Sequence, residues 1–133
     1  MANFGVCVAL AIFELLATGS KVYYAFGHAS GRDYWRPKYF LPCLAVITRQ
    51  VYVPYLFTSN NIPGLPLRYQ PAYDPLQRLS PGPILLNGQS PNWAAIIDKY
   101  DYFILGDERF FDIPVPQRLV PVHKGNRVNI YRT

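Results

Sequence analysis

The stretch Asn92-Trp-Ala-Ala-Ile-Ile-Asp-Lys-Tyr-Asp-Tyr-Phe-Ile-Leu-Gly-Asp107 decides how the rest of the chain is arranged. Trp93, Ile96 and Ile97 lie three and four positions apart and share one helical face, while Asp98 and Lys99 point to water. Tyr102-Phe103-Ile104-Leu105 then runs apolar without a break and closes on Gly106. An unbroken apolar run is the mark of a strand covered on both faces; one this short is also compatible with buried helix. The spacing predicts a helix over Asn92–Lys99 feeding a water-excluded strand, with everything else layered around that strand.

Length and composition narrow the class. At 133 residues the chain suffices for one domain with a real core. Only 16% of residues are charged, well below the usual quarter, and 50% are hydrophobic. Thirteen prolines and nine glycines exclude many long regular elements. The net charge of +5 is dispersed: seven Lys/Arg against three acids over 1–91, six against five over 92–133. No basic run or nucleic-acid motif is present, so the expectation is no nucleic-acid partner and a mildly basic surface suited to anionic headgroups.

Phe4–Ala17 is nearly continuous apolar sequence with Glu14 as its one charge. Fourteen residues as helix span about 21 Å, short of a hydrocarbon core of roughly 30 Å. A buried or interfacial helix is the first reading, the tail of a last membrane span the second and a signal peptide the third. Thr18-Gly19-Ser20 ends it, with glycine suited to a left-handed cap. Residues 1–18 thus form an apolar segment ahead of a domain over 19–133.

In that domain Lys21–Phe26 has strand composition, Leu41–Thr48 helical spacing, and Val51–Thr58 the look of a strand bent or edged at Pro54. The proline-dense region 59–92 reads mostly as loop, with short extended pieces at Pro66–Tyr69 and Ile84–Leu86. Phe110-Phe111 is placed to pack back on the core. Leu119–Tyr131 is the best hairpin signal: two β-rich arms flank Lys124-Gly125-Asn126. There Val128 and Ile130 alternate with Asn129 and Tyr131, which predicts one buried face and one wetter one. The fold expected is α/β, a small mixed sheet with flanking helices and a C-terminal β-hairpin.

Candidate chemistry is sparse. The loop after the first strand, Gly27–Asp33, carries His28, Ser30, Arg32 and Asp33, with Trp35 just beyond; strand ends of α/β sheets often place ligands. No phosphate-binding glycine motif or hydrolase elbow is present, and a polar turn with a surface histidine is the plainer account. Asp107-Glu108 with Asp112 reads as a solvated turn rather than a metal or acid/base pair, and His123 as a residue facing water beside a hairpin turn. Cys7 and Cys43 form neither a metal cluster nor a Cys-x-x-Cys pair; a disulfide between them stays open. Tyr23, Tyr24, Tyr34 and Trp35 offer a stacking platform, with core packing expected for at least half of them. No catalytic residue, metal ligand or cofactor is expected.

Three stretches together carry a resemblance. They are Gly19-Ser20-Lys21-Val22-Tyr23, then Leu44–Phe57 leading to Pro66-Leu67, then Tyr100–Leu105 with the closing Gly125…Val128-Asn129-Ile130-Tyr131-Arg132. The pattern resembles the C-terminal extracytoplasmic domain of bacterial multi-spanning, GT-C-type glycosyltransferase-like membrane proteins. The resemblance implies a small α/β domain at the outer face of the bacterial inner membrane. It also implies a membrane or membrane-protein partner and a glycan or lipid-linked sugar nearby. That family's catalytic acids lie between early membrane helices with no counterpart here, so no catalytic residue transfers. The implied role is a non-catalytic accessory domain, with Phe4–Ala17 as remnant or replacement of a last membrane segment. The rival is a free-standing sugar- or small-ligand-binding module using the Gly27–Asp33 loop.

Overall fold

The fold is taken from a computed structural model that describes residues 14–27, 49–54, 76, 79, 84–85, 89–125 and 128–133. Its centre is one mixed sheet with strand order β2-β1-β3-β5-β4. The strands are β1 (Val22–Gly27), the two-residue β2 (Ile84–Leu85), β3 (Tyr102–Gly106), β4 (Val120–Lys124) and β5 (Val128–Arg132). β1 runs parallel to β2 and β3, and β5 lies antiparallel between β3 and β4.

The expected water-excluded ribbon is in the middle of this sheet. Phe103, Ile104 and Leu105 are 0%, 1% and 0% exposed although their side chains alternate between faces, so both faces are covered. One face carries Tyr23, Ala25, Phe103, Leu105 and Tyr131, packed with Trp93, Ile96, Ile97 and Tyr100. Tyr23 and Trp93 set their rings 6.0 and 5.9 Å from Phe103 at tilted angles, contacts worth about 0.5–1.5 kcal/mol each beyond area burial. Val22, Tyr24, Phe26, Ile104 and Ile130 are buried on the opposite face. Tyr23 and Tyr24 are therefore core residues; Tyr34 and Trp35 lie outside the described residues.

The parallel pair is locked at its start. Asp101 accepts the Lys21 N–H on Oδ2 at 2.8 Å, and the Asp101 N–H donates to the Lys21 carbonyl at 2.8 Å. On the outer edge of β1, Val22 donates to the Tyr52 carbonyl and Tyr52 to the Ser20 carbonyl, at 2.8 and 2.9 Å. Of the strand expected over Val51–Thr58, the described part thus contributes a single bridge; 55–58 lie outside the described residues, as does Pro66–Tyr69. Gly19 takes φ +79, the left-handed conformation expected of it.

Flanking helices are the part of the expectation that fails. Helix α1 is only Trp93–Ile96, followed by a turn through Lys99, and Glu108–Phe110 is a single 3-10 turn. Pro91 precedes α1, and Tyr100 and Asp101 must already be in place to enter β3, so any helix here is confined to the eight residues between. A helix this short has little stability of its own and is held by the burial of Trp93 and Ile96. Glu14–Ala17 form turns rather than the end of a helix; 1–13 and the expected helix Leu41–Thr48 lie outside the described residues. Among the described residues no helix is long and apolar enough to cross a membrane.

The C-terminal hairpin is present with the arms expected. Gly125 N–H donates to the Val128 carbonyl and to Asn129 Oδ1, both at 3.1 Å, and a side chain at Gly125 would crowd that carbonyl. β4 is an edge strand, and Pro121 leaves it without one ladder donor, which guards the edge against further pairing. Pro121 pairs with Tyr131 and His123 with Ile130, so Val122 is an extra residue, a β-bulge.

Candidate functional site

The bulge builds the site. Side chains alternate along a regular strand, so Pro121 and Lys124, three apart, would face opposite ways. With Val122 set out of register, Pro121 lies opposite Tyr131 and Lys124 opposite Asn129, on the same face of β5. On that face they meet Glu108. Asp107 adopts the left-handed region, φ 46 and ψ 44, a conformation aspartate tolerates better than most residues, and it turns the chain sharply after Gly106.

Three side chains converge there. The Tyr131 hydroxyl donates to Glu108, with Oε1 at 2.7 Å and Oε2 at 3.0 Å, and accepts from Lys124 Nζ at 2.8 Å. Lys124 Nζ also stands 4.0 Å from Glu108 Oε1 and 4.9 Å from the centre of the Tyr131 ring. Tyr131 is 5% exposed, so the wetter face expected of Asn129 and Tyr131 is a correction: the ring is core, paired with Phe103. Only its hydroxyl belongs to the polar cluster.

The three side chains line an open cavity of about 530 Å³, within the range of about 300–1,000 Å³ typical of small-molecule sites. Phe111, Val115, Pro116, Leu119 and Pro121 line its apolar side, with Gln117 and Arg109 at the rim. Arg109 stands 3.9 Å from Asp107 and lies over the Phe110 ring at 4.8 Å. Phe111 is buried in the core cluster, as the sequence led one to expect.

Protonation follows from the contacts. The hydrogen bond to Tyr131 raises the Lys124 ammonium above its ordinary value; burial works against this, and the charge of Glu108 adds to it. Burial raises the Tyr131 phenol above its ordinary value, reinforced by its bond to Glu108 and opposed by Lys124. Near neutral pH Lys124 is a cation and Tyr131 a neutral phenol. A raised lysine is a poor proton acceptor and a raised phenol a poor nucleophile. What the cluster offers is a fixed set of hydrogen-bond donors and acceptors.

His28, Ser30, Arg32, Asp33 and Trp35 lie outside the described residues. Their loop leaves β1 at Gly27, at the C-terminal end of a parallel strand beside β3. A side chain at Gly27 would stand 2.5 Å from the Asp107 carbonyl, so the end of β1 packs against the turn that carries Glu108. Asp112 is exposed and does not join Glu108; among the described residues no group of three His, Cys, Asp or Glu is placed to hold a metal. His123 is half-buried beside Gly125 rather than fully in water.

Glu108, Lys124 and Tyr131 were not singled out by sequence as a set. They are separated by 16 and 7 positions, and no local spacing marks them. Comparison with known families, characterised proteins and solved structures finds no match for this chain.

Proposed function

We propose that this chain is a non-catalytic accessory domain of a membrane-associated, glycosyltransferase-like protein, held at the outer face of the bacterial inner membrane, where it packs on the membrane part or positions a glycan acceptor. The observation that carries the non-catalytic half is the Tyr131 hydroxyl fixed between Glu108 and Lys124. Its partners hold it as a donor and acceptor rather than free it as a nucleophile. The membrane and glycosyltransferase half rests on the resemblance, which implies a small α/β domain ending in a hairpin.

Fractionation of cells carrying the native chain tests the placement: recovery with the membrane supports it, and recovery as a fully soluble monomer removes it. Turnover of a lipid-linked sugar by the isolated chain would overturn the non-catalytic reading. A second reading, a free-standing module using the Gly27–Asp33 loop, is favoured by the position of that loop at the end of a parallel strand. A nucleotide-sugar titration that moves the Trp35 signal, and fails to do so in His28→Ala and Arg32→Ala, would select it.

A further inference from the structure

The groove beneath the hairpin has a chemical signature of its own. In its lining Lys124 Nζ stands 4.0 Å from Glu108 Oε1, a cation and an anion side by side. An anion drawn to Lys124 meets the Glu108 carboxylate close by, and a cation drawn to Glu108 meets Lys124, so here the two charges oppose one another for a charged ligand. Arg109, the third charged side chain of the lining, is 73% exposed, and its pull on anions is screened by water. The Lys124–Glu108 pair suits a neutral group that both donates and accepts.

Hydrogen-bond capacity points the same way. Lys124 has three donors and, among the described residues, gives one to Tyr131; a carboxylate has about four acceptor positions, and among the described residues Glu108 takes the Tyr131 hydroxyl and a distant Lys124. Among the described residues, unused donor and acceptor capacity thus stands side by side, with Nζ and Oε1 4.0 Å apart. Neighbouring hydroxyls on a sugar ring supply the complement: one accepts from Nζ while the other donates to Oε. The apolar side, with Pro116, Pro121 and Leu119, is suited to the C–H face of the ring, and Gln117 at the rim can both donate and accept.

We propose that this groove binds an uncharged sugar ring, with a vicinal diol bridging Lys124 Nζ and Glu108, and the ring face against Pro116 and Pro121. The inference rests on the reading of the chain as a glycan-positioning domain and gives that role a site distinct from the Gly27–Asp33 loop. The bulge absorbs Val122 and so keeps Pro121 and Lys124, three apart in sequence, on the same face.

The test is a titration of the full chain with methyl glycosides of glucose, galactose, mannose and N-acetylglucosamine, followed by amide NMR shifts over residues 108–124. Inorganic phosphate and methylammonium are titrated in parallel. Saturable shifts with at least one glycoside are expected, with no response to either ion. Glu108→Gln and Lys124→Met should each weaken binding about tenfold or more, the loss of one charge-assisted bond. Lys124 is exposed enough that its variant keeps the fold, while Asp98→Asn, outside the groove, should bind as the native chain does. Shifts with phosphate alone, no glycoside response, or binding that survives both groove variants would overturn the proposal. Loss of sugar binding with membrane recovery intact removes the groove assignment alone; sugar binding by a chain that stays soluble removes the membrane placement alone.

Discussion

The ring of Phe26 on β1 occupies the space that a side chain on Gly106 of β3 would need. The two residues are register partners at the C-terminal end of the parallel pair. Gly106→Ala should therefore destabilise by about 1–3 kcal/mol through overpacking, measured by urea denaturation. Phe26→Ala in the same chain should recover part of that loss, so that the double variant costs less than the sum of the singles. Strict additivity would show that the ring and the glycine do not meet.

Gly27 faces an obstacle of another kind, the backbone carbonyl of Asp107 at 2.5 Å from a would-be Cβ. A ring can shift, whereas a carbonyl in a left-handed turn cannot without moving Glu108. Gly27→Ala is expected to lower stability and to perturb the NMR shifts of Glu108 and Tyr131 as well. A stability loss with those shifts unchanged would uncouple the end of β1 from the polar cluster.

Removing one oxygen tests the cluster. Tyr131→Phe keeps the buried ring and deletes the hydroxyl that Glu108 and Lys124 share. Because Lys124 is 58% exposed, its part is discounted for solvent screening, and the expected loss is about 1–2 kcal/mol. Thermal and urea unfolding read it directly, and an unchanged midpoint would reduce the cluster to a surface coincidence.

The same variant should flatten the alkaline limb of stability. Lys124 and Tyr131 both sit above their ordinary values of 10.5 and 10.0 in the fold. Each therefore binds its proton more tightly folded than unfolded. Their stabilisation is fully present below pH 10 and is lost as pH rises through the folded values. A pH series of unfolding midpoints from 8 upward should fall more steeply in the native chain than in Tyr131→Phe; equal slopes would contradict the assignment.

Trp93 anchors the short α1 against Phe103, with its indole N–H toward the Ile113 carbonyl at 3.5 Å. Trp93→Ala should cost about 3–5 kcal/mol, as large aromatic deletions in cores do. A cost below about 1 kcal/mol, typical of surface positions, would mean that the layer over this face of the sheet is held elsewhere.

Much of the fold was legible because its signals are local. A continuous run from Tyr102 to Leu105 has no polar position to offer water, so it sits inside the sheet, and Gly125 marks its turn by chemistry. Gly19 declares a left-handed turn in the same way. The length of α1 was not legible, since Trp93, Ile96 and Ile97 show the right spacing whether one turn or two of helix form. The site was hidden for a different reason. Tyr131 looks like the outer member of an alternating pair, and only its cross-strand partner Phe103 places it inside. Glu108 looks like a solvated acid until Asp107 turns the chain back. Neither fact has a signature within a few residues of sequence.

The extra residue in β4 stands outside the ladder pairings, so the face on which Lys124 lies does not depend on its presence. Losing Val122 would make Pro121 and Lys124 alternate residues of a regular arm, still opposite Tyr131 and Asn129. Straightening the arm with Val122 retained would instead swing the ammonium to the far surface. Divergent copies of this domain should accordingly keep or drop the bulged residue with the cation in place, and should vary freely in its identity.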